Sequence, residues 1–252
     1  MDDIEGRIIH NKEIASRHYL LKIKLEKSMD PTVPGQFVML HIPDNELFLR
    51  RPFSIYDYRQ KTLSLLYKVV GKGTESLSRT VKNAKVSVLC PLGRGFSIKK
   101  RDRYVVVAGG IGIAGVHLLI QRLGKKATIF FGCNNADEVP LMGKTAKFNP
   151  FVSTLDGSYG FRGNVVQLLE HHIEELEEKD IEVFACGPEG MLKSMKALLE
   201  KKRIPCQASF EERMACGLGL CFGCVKKTVD KEEPYKRVCK EGPVFDIWQV
   251  CL

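Results

Sequence analysis

Apolar and polar positions alternate in short runs over residues 1–100. In Tyr19-Leu20-Leu21-Lys22-Ile23-Lys24-Leu25, the residues Leu21, Ile23 and Leu25 fall on one face, as in a strand half covered by a core. Residues 36–42, 51–56, 63–70 and 85–89 repeat the pattern, punctuated by Pro34-Gly35, Pro43-Asp44-Asn45 and Pro91-Leu92-Gly93. Short strands at this spacing predict an antiparallel β-barrel.

From Tyr104 the pattern changes. Tyr104-Val105-Val106-Val107-Ala108 is apolar throughout, which predicts a strand covered on both faces. Gly109-Gly110-Ile111-Gly112 follows, then a helix-like stretch to Leu123. Strand-like runs at 127–131, 151–155 and 181–185 alternate with helical ones at 164–176 and 189–200; in the first, Val165, Leu168 and Leu169 share a face. Strand–helix alternation predicts an α/β domain with a parallel sheet over residues 101–210. Beyond Glu211 the periodicity fades and Cys and Gly dominate, so residues 211–252 read as a third, metal-stapled lobe. The expected class is therefore multi-domain: β-barrel, α/β sheet, small C-terminal lobe.

Composition narrows the partners. Of 252 residues, 44% are apolar and 27% charged, which excludes disordered and fibrous classes. The net charge of +9 favours anionic partners, and nucleotide cofactors or acidic proteins satisfy that as well as nucleic acid does. Lys and Arg are interleaved with Asp and Glu, so no nucleic acid is expected. The densest basic run, Lys99-Lys100-Arg101 with Arg103, reads as a solvated linker. The acidic start lacks a secretory pattern, and the uncharged stretch 104–121, with four glycines, reads as strand, turn and helix rather than a membrane span. The expected setting is cytoplasmic, with no membrane association. The six histidines show no ligand spacing with the cysteines, and Phe245 and Trp248 read as packing residues.

Nine cysteines outside a secretory context argue against a disulfide framework. Four form the pattern C-x4-C-x2-C-x14-C: Cys216, Cys221, Cys224 and Cys239. Three thiolates on a tight loop and a fourth returning later suit a 2Fe-2S cluster. Gly217, Gly219 and Gly223 let the backbone approach it and point N–H groups at sulfur. Zinc is the rival, although zinc sites usually show two C-x2-C knuckles and only one is present. Cys90, Cys133, Cys206 and Cys251 read as core residues.

Two further motifs concern nucleotides. Arg51-Pro52-Phe53-Ser54, with Tyr67-Lys68 and the turn Gly71-Lys72-Gly73-Thr74, is either a proline-broken edge strand or a flavin site. In the second reading, glycine N–H groups and a hydroxyl cradle phosphate, and Arg51 pairs with the pyrophosphate. Gly109, Gly110 and Gly112 lie between a buried strand and a helix, and Cys186-Gly187-Pro188 lies at another strand-to-helix junction. Each is either a tight turn or one wall of a dinucleotide crevice. Asp156-Gly157-Ser158 reads as a plain turn at its rim. The neighbourhood of Gly132-Cys133-Asn134-Asn135 offers no decisive Arg for a 2′-phosphate, which favours NAD.

Together, Arg-Pro-x-Ser, Gly-Gly-x-Gly, Cys-Gly-Pro and the cysteine cluster resemble the ferredoxin reductase-like superfamily over essentially the whole chain. Pro34-Gly35-Gln36-Phe37, the run 154–160, Glu211-Glu212-Arg213-Met214-Ala215-Cys216-Gly217 and the run 238–245 are similar to dihydroorotate dehydrogenase B-type electron-transfer subunits. The resemblance implies FAD on Arg51, Pro52, Phe53, Ser54, Leu66, Tyr67, Lys68, Gly73 and Thr74, and 2Fe-2S on the four cysteines. It implies an oxidoreductase subunit without catalytic side chains of its own. It further implies a partner chain that holds FMN and oxidises dihydroorotate in pyrimidine biosynthesis, electrons that pass through 2Fe-2S and FAD to NAD⁺, and a heterotetramer of two copies of each chain. Where many relatives carry a proline after the glycine turn, this chain has Gly112-Ile113-Ala114-Gly115-Val116, so a looser nicotinamide pocket is expected. The alternative is the small subunit of an NADPH–ferredoxin oxidoreductase or sulfide dehydrogenase. A non-enzymatic regulator with structural zinc is a rival of another class, and it would be colourless.

Overall fold

A computed structural model describes residues 1–43, 48–177 and 180–252. Asp44 and Asn45 of the expected Pro43-Asp44-Asn45 turn lie outside them. The first part carries β1 (Asp2–Ala15), β2 (His18–Leu25), β3 (Phe37–His41), β4 (Arg51–Ser54), β5 (Asp57–Arg59), β6 (Thr62–Lys68), helix α1 (Lys72–Ser78) and β7 (Lys85–Leu92). Its seven strands form one antiparallel sheet in the order β4-β3-β7-β1-β2-β6-β5. The two edge strands are consecutive in the chain. Ile55, between them, donates to Gln36 O, and Tyr56 donates to Ser64 O on β6. The sheet therefore curls round, but no ladder joins its edges among the described residues. The expected antiparallel β-barrel is corrected to an open, curled antiparallel sheet.

Next come β8 (Arg103–Gly109), α2 (Ile113–Leu123), β9 (Ala127–Cys133), β10 (Phe151–Thr154), β11 (Phe161–Arg162), α3 (Val165–Glu170), α4 (Ile173–Glu177), β12 (Ile181–Cys186), α5 (Glu189–Glu200) and β13 (Cys206–Ser209). The remaining strands are β14 (Val225–Lys227), β15 (Tyr235–Arg237) and β16 (Val244–Asp246). The second sheet runs β11-β10-β9-β8-β12-β13-β16. Val105, Val106, Val107 and Ala108 are wholly buried, as their uninterrupted apolar run requires. The chain leaves β8 toward β9 and β10, then crosses to β12 on the other side. The carboxyl ends of β8 and β12 thus flank the switch point at which such sheets bind ligands.

Three features depart from the sequence reading. The expected helix 164–176 breaks at His171-His172, with His172 Nδ1 2.9 Å from Leu168 O. The sheet is mixed, because β16 from the C-terminal stretch pairs antiparallel with β13. Apolar cores also cross the expected domain boundaries: Phe37, Met39 and Leu92 pack in one cluster with Val105, Val107, Cys224, Val238 and Cys239. No helix among the described residues is long and apolar enough to cross a membrane.

Candidate functional site

The Arg-Pro-x-Ser run forms β4, whose Phe53 is buried, and Pro52, Phe53 and Ser54 line a cavity of about 250 Å³. Leu66, Tyr67 and Lys68 from β6 and Thr74 from α1 line it too. Arg51 and Gly73 support this wall. A Cβ at Gly73 would lie 2.6 Å from Arg51 Nε, so glycine makes room for the guanidinium. Gly71 to Thr74 open a helix rather than closing a free turn. The Thr74 hydroxyl accepts from the N–H groups of Val70 and Gly71 and donates to Gly71 O, so it shapes the main chain here. A half-buried cation beside an apolar, aromatic-walled cavity suits an anionic, ring-bearing ligand.

The far wall comes from distant sequence: Ile111 and Ala114, then Ser209, Phe210, Glu211, Glu212, Met214 and Pro243. Glu211 opens to solvent through the cavity, yet protein surrounds its carboxyl closely enough for burial to raise its pKa. Nothing local in the sequence marks Glu211 as a site residue; it falls within the family-like run 211–217.

A second cavity, of about 340 Å³, lies at the carboxyl ends of the parallel strands. Gly109, Gly110, Pro188, Met191 and Asn134 line it, together with His18 and Glu138, which no motif in the sequence marked. Gly112, Cys186 and Gly187 lie behind them. A Cβ on Gly112 would run into the Cys186 carbonyl, and one on Gly187 would lie 2.6 Å from Met191 Cε. The space beside Gly115 is filled, since a Cβ there would lie 2.8 Å from Cys186 Sγ and 3.6 Å from Ser54 Oγ. The looser pocket expected there is thus corrected. Burial pushes the Cys186 thiol up to about 12, keeping it neutral. Glu138 accepts from Asn134 N and Nδ2; burial opposes its ionisation, but these bonds and Lys68 hold it below the usual carboxylate range. Asp156 and Ser158 close a turn, with Ser158 N and Oγ donating to Asp156 Oδ1. Lys68 and Ile111 line both cavities, so the two sites adjoin.

The cysteine loop carries neither helix nor strand from Ala215 to Cys224. Gly217 and Gly219 take φ of 69° and 78°, which glycine adopts freely, and Gly217 sits where a Cβ would meet Met39 Cγ at 2.6 Å. Arg237 latches the loop: its Nη1 donates to Gly219 O at 2.8 Å, its Nε to Glu241 at 3.0 Å, and its guanidinium lies 4.8 Å from the Phe222 ring centroid. Backbone N–H groups reach three sulfurs: Leu218 to Cys216, Gly223 to Cys221, and Cys239 to Cys224, at 3.3–3.4 Å. Burial raises the Cys216 thiol, but the N–H groups of Leu218, Cys221 and Leu220 outweigh it and bring the thiol down to about 6. Burial, then the neighbouring Cys224, pushes Cys239 up to about 12. N–H donors on three of the four sulfurs, with Cys221 beside Cys216 and Cys224 beside Cys239, fit a group whose sulfurs carry negative charge. Among the described residues, no three His, Cys, Asp or Glu side chains stand ready to hold a single metal ion.

A curled antiparallel sheet against a mostly parallel one, with cavities at their junction, defines the ferredoxin reductase-like fold. Solved structures share it. One, described as giving insights into flavin-based electron bifurcation via the NADH-dependent reduced ferredoxin-NADP oxidoreductase structure, matches with a TM-score of 0.87 at 24% identity, over 98% of this chain and 89% of that one. A ferredoxin reductase in carbazole 1,9a-dioxygenase matches at 0.70 and 18%, over 81% of this chain and 67% of the other. Residues 211–251 match the iron-sulfur cluster binding domain of dihydroorotate dehydrogenase B. A dihydroorotate dehydrogenase B (NAD(+)) electron transfer subunit of Caldanaerobacter subterraneus subsp. tengcongensis is 37% identical over 96% of each chain. The Listeria welshimeri counterpart is 35% identical over 98% of each. The chain belongs to the family of dihydroorotate dehydrogenase B electron transfer subunits.

Proposed function

We propose that this chain is the electron-transfer subunit of a dihydroorotate dehydrogenase, linking an FMN-holding catalytic partner to NAD⁺ in pyrimidine biosynthesis. The observation that carries this reading is the adjacency of the two cavities through Lys68 and Ile111, with the cysteine loop beginning where Glu211, Glu212 and Met214 close the first cavity. FAD, when bound, exchanges single electrons with a 2Fe-2S cluster and a hydride with NAD. This chain's residues hold and orient. Pro52, Phe53, Ser54, Leu66 and Tyr67 take the flavin ring, and Arg51 and Lys68 face its phosphates beside Gly73 and Thr74. The main chain at Gly109, Gly110 and Gly112 takes the NAD pyrophosphate. Cys186, Gly187 and Pro188 shape the nicotinamide side, where the thiol stays protonated. Cys216, Cys221, Cys224 and Cys239 ligate the cluster. We assign these roles within three units, residues 1–100, 101–210 and 211–252, and an assembly of two copies with two partners in the cytoplasm.

Reconstitution tests the reading. The anaerobically prepared chain, mixed with the FMN-holding partner, should oxidise NADH in an orotate-dependent way, and neither chain alone should do so. Turnover of dihydroorotate by this chain alone, or a colourless zinc-loaded preparation, would overturn it.

A further inference from the structure

Lys226 lies on β14, two residues beyond Cys224, and its side chain is only 10% exposed. Its Nζ donates to Glu189 Oε2 and to Glu212 Oε1, each at 2.9 Å, and stands 5.9 Å from the Phe210 ring centroid. These partners come from different working parts of the molecule. Glu189 opens α5 directly after Pro188, at the nucleotide crevice. Glu212 and Phe210 line the flavin cavity. Lys226 itself lines neither cavity. A mostly buried ammonium left without counter-ions is costly, so both carboxylates are held to it more firmly than in an exposed ion pair.

Building on the function proposed above, we infer that Lys226 is a positioning residue that locks the nicotinamide loop, the flavin rim and the cluster-bearing strand into one register. The lock has two separable arms. The Glu189 arm fixes the loop that meets the nucleotide; Lys193, 3.1 Å from Glu189, shares that carboxylate but lies on the same helix and cannot tie it to the cluster lobe. The Glu212 arm fixes the rim that joins the flavin cavity to the cysteine loop.

Amide hydrogen exchange on the cofactor-loaded protein, run beside stopped-flow reduction by NADH, tests the two arms. Lys226→Met keeps the aliphatic stem against Phe210 and removes the charge. Exchange at 187–191 and at 210–214 should then rise about tenfold, while strands β8 and β12 keep their protection. Glu189→Gln should loosen only the first segment and raise KM for NADH several-fold with little change in kcat. Glu212→Gln should loosen only the second and slow transfer between flavin and cluster, leaving that KM unchanged. Lys226→Arg should restore both segments. The inference is overturned if Lys226→Met leaves both segments unchanged, if exchange rises uniformly over the chain, or if the two glutamine variants behave alike. Should Lys226→Met fail to fold, the glutamine pair still decides. Exchange does not depend on turnover, so a wild-type protein inert toward NADH would sink the functional reading and leave this test standing.

Discussion

The crevice at the ends of β8 and β12 and the cysteine loop are the two stretches where the function proposed above has main chain meet a ligand, and they are held in place by different means. At the crevice, wholly buried strands fix the ends of β8 and β12, and Gly109, Gly112 and Gly187 are needed because neighbours already fill the space where a Cβ would go, whereas Gly110 has open space and a φ of 51°. The cysteine loop has no ladder from Ala215 to Cys224 and relies on two left-handed glycines, N–H···S bonds and the Arg237 latch. The crevice is thus formed by folding. The loop has neither helix nor strand, and in the role proposed above ligation completes it, as in small metal-bound lobes.

The largest test of this contrast is Cys221→Ser. Iron and labile sulfide should fall to near zero, and transfer to the partner should drop by more than the ~10–100-fold typical of losing a group that only orients a ligand. Flavin should remain at one per chain and still be reduced by NADH. Loss of flavin with the iron would break the contrast, because it would mean that the rim at Glu211, Glu212 and Met214 cannot stand without the cluster.

Gly112→Ala tests the other side. The added methyl meets the Cys186 carbonyl and Gly187 Cα, both main chain, so the crevice must shift. Overpacking of this kind costs about 1–3 kcal/mol, or roughly 2–4 °C in thermal midpoint for each kcal/mol in a chain of this size. Flavin reduction by NADH should slow about tenfold with iron content unchanged, as misplacement near a reacting pair does. A variant with wild-type reduction kinetics would show that the crevice is not preformed at this junction.

What the sequence revealed follows the same division. The continuous run 104–108 marked the central strand because burial on both faces leaves no polar position, and the cysteine spacing marked the loop without any periodicity. β1, the longest strand, escaped notice because its core face reads Ile4-Gly6-Ile8: the glycine interrupts the apolar alternation, although a Cβ there would lie 2.8 Å from Ile23 Cγ2. The helical opening at Gly71 was hidden because glycine ordinarily signals a turn, and here a threonine hydroxyl completes the cap. Glu211 and Lys226 were not legible as site residues. Each acquires its surroundings from segments distant in the chain, which no local pattern records.

The smallest expected effect is a pH response confined to the crevice side. His117 on α2 is wholly buried, stacked at 3.9 Å on Tyr56 between the edges of the curled sheet, with Nδ1 3.1 Å from Thr145 Oγ1. Burial brings its pKa down to about 4; Asp57 opposes the fall, and Lys144, Arg59 and Lys147 add to it. The unfolded chain therefore binds a proton near pH 6.5 that the native state refuses until about 4. The stabilising contribution is fully present above 6.5 and is lost as pH falls between those values, at about 1.4 kcal/mol per pH unit. His117→Phe keeps the stack and removes the titration, so its thermal midpoint should fall roughly 2–4 °C less than that of the wild type between pH 6.5 and 5.5. The reduced cluster's EPR signal should be unchanged in both proteins over that range. Parallel pH profiles would mean that His117 is already protonated in the native protein, and that the seam between curled sheet and crevice is wetter than its burial indicates.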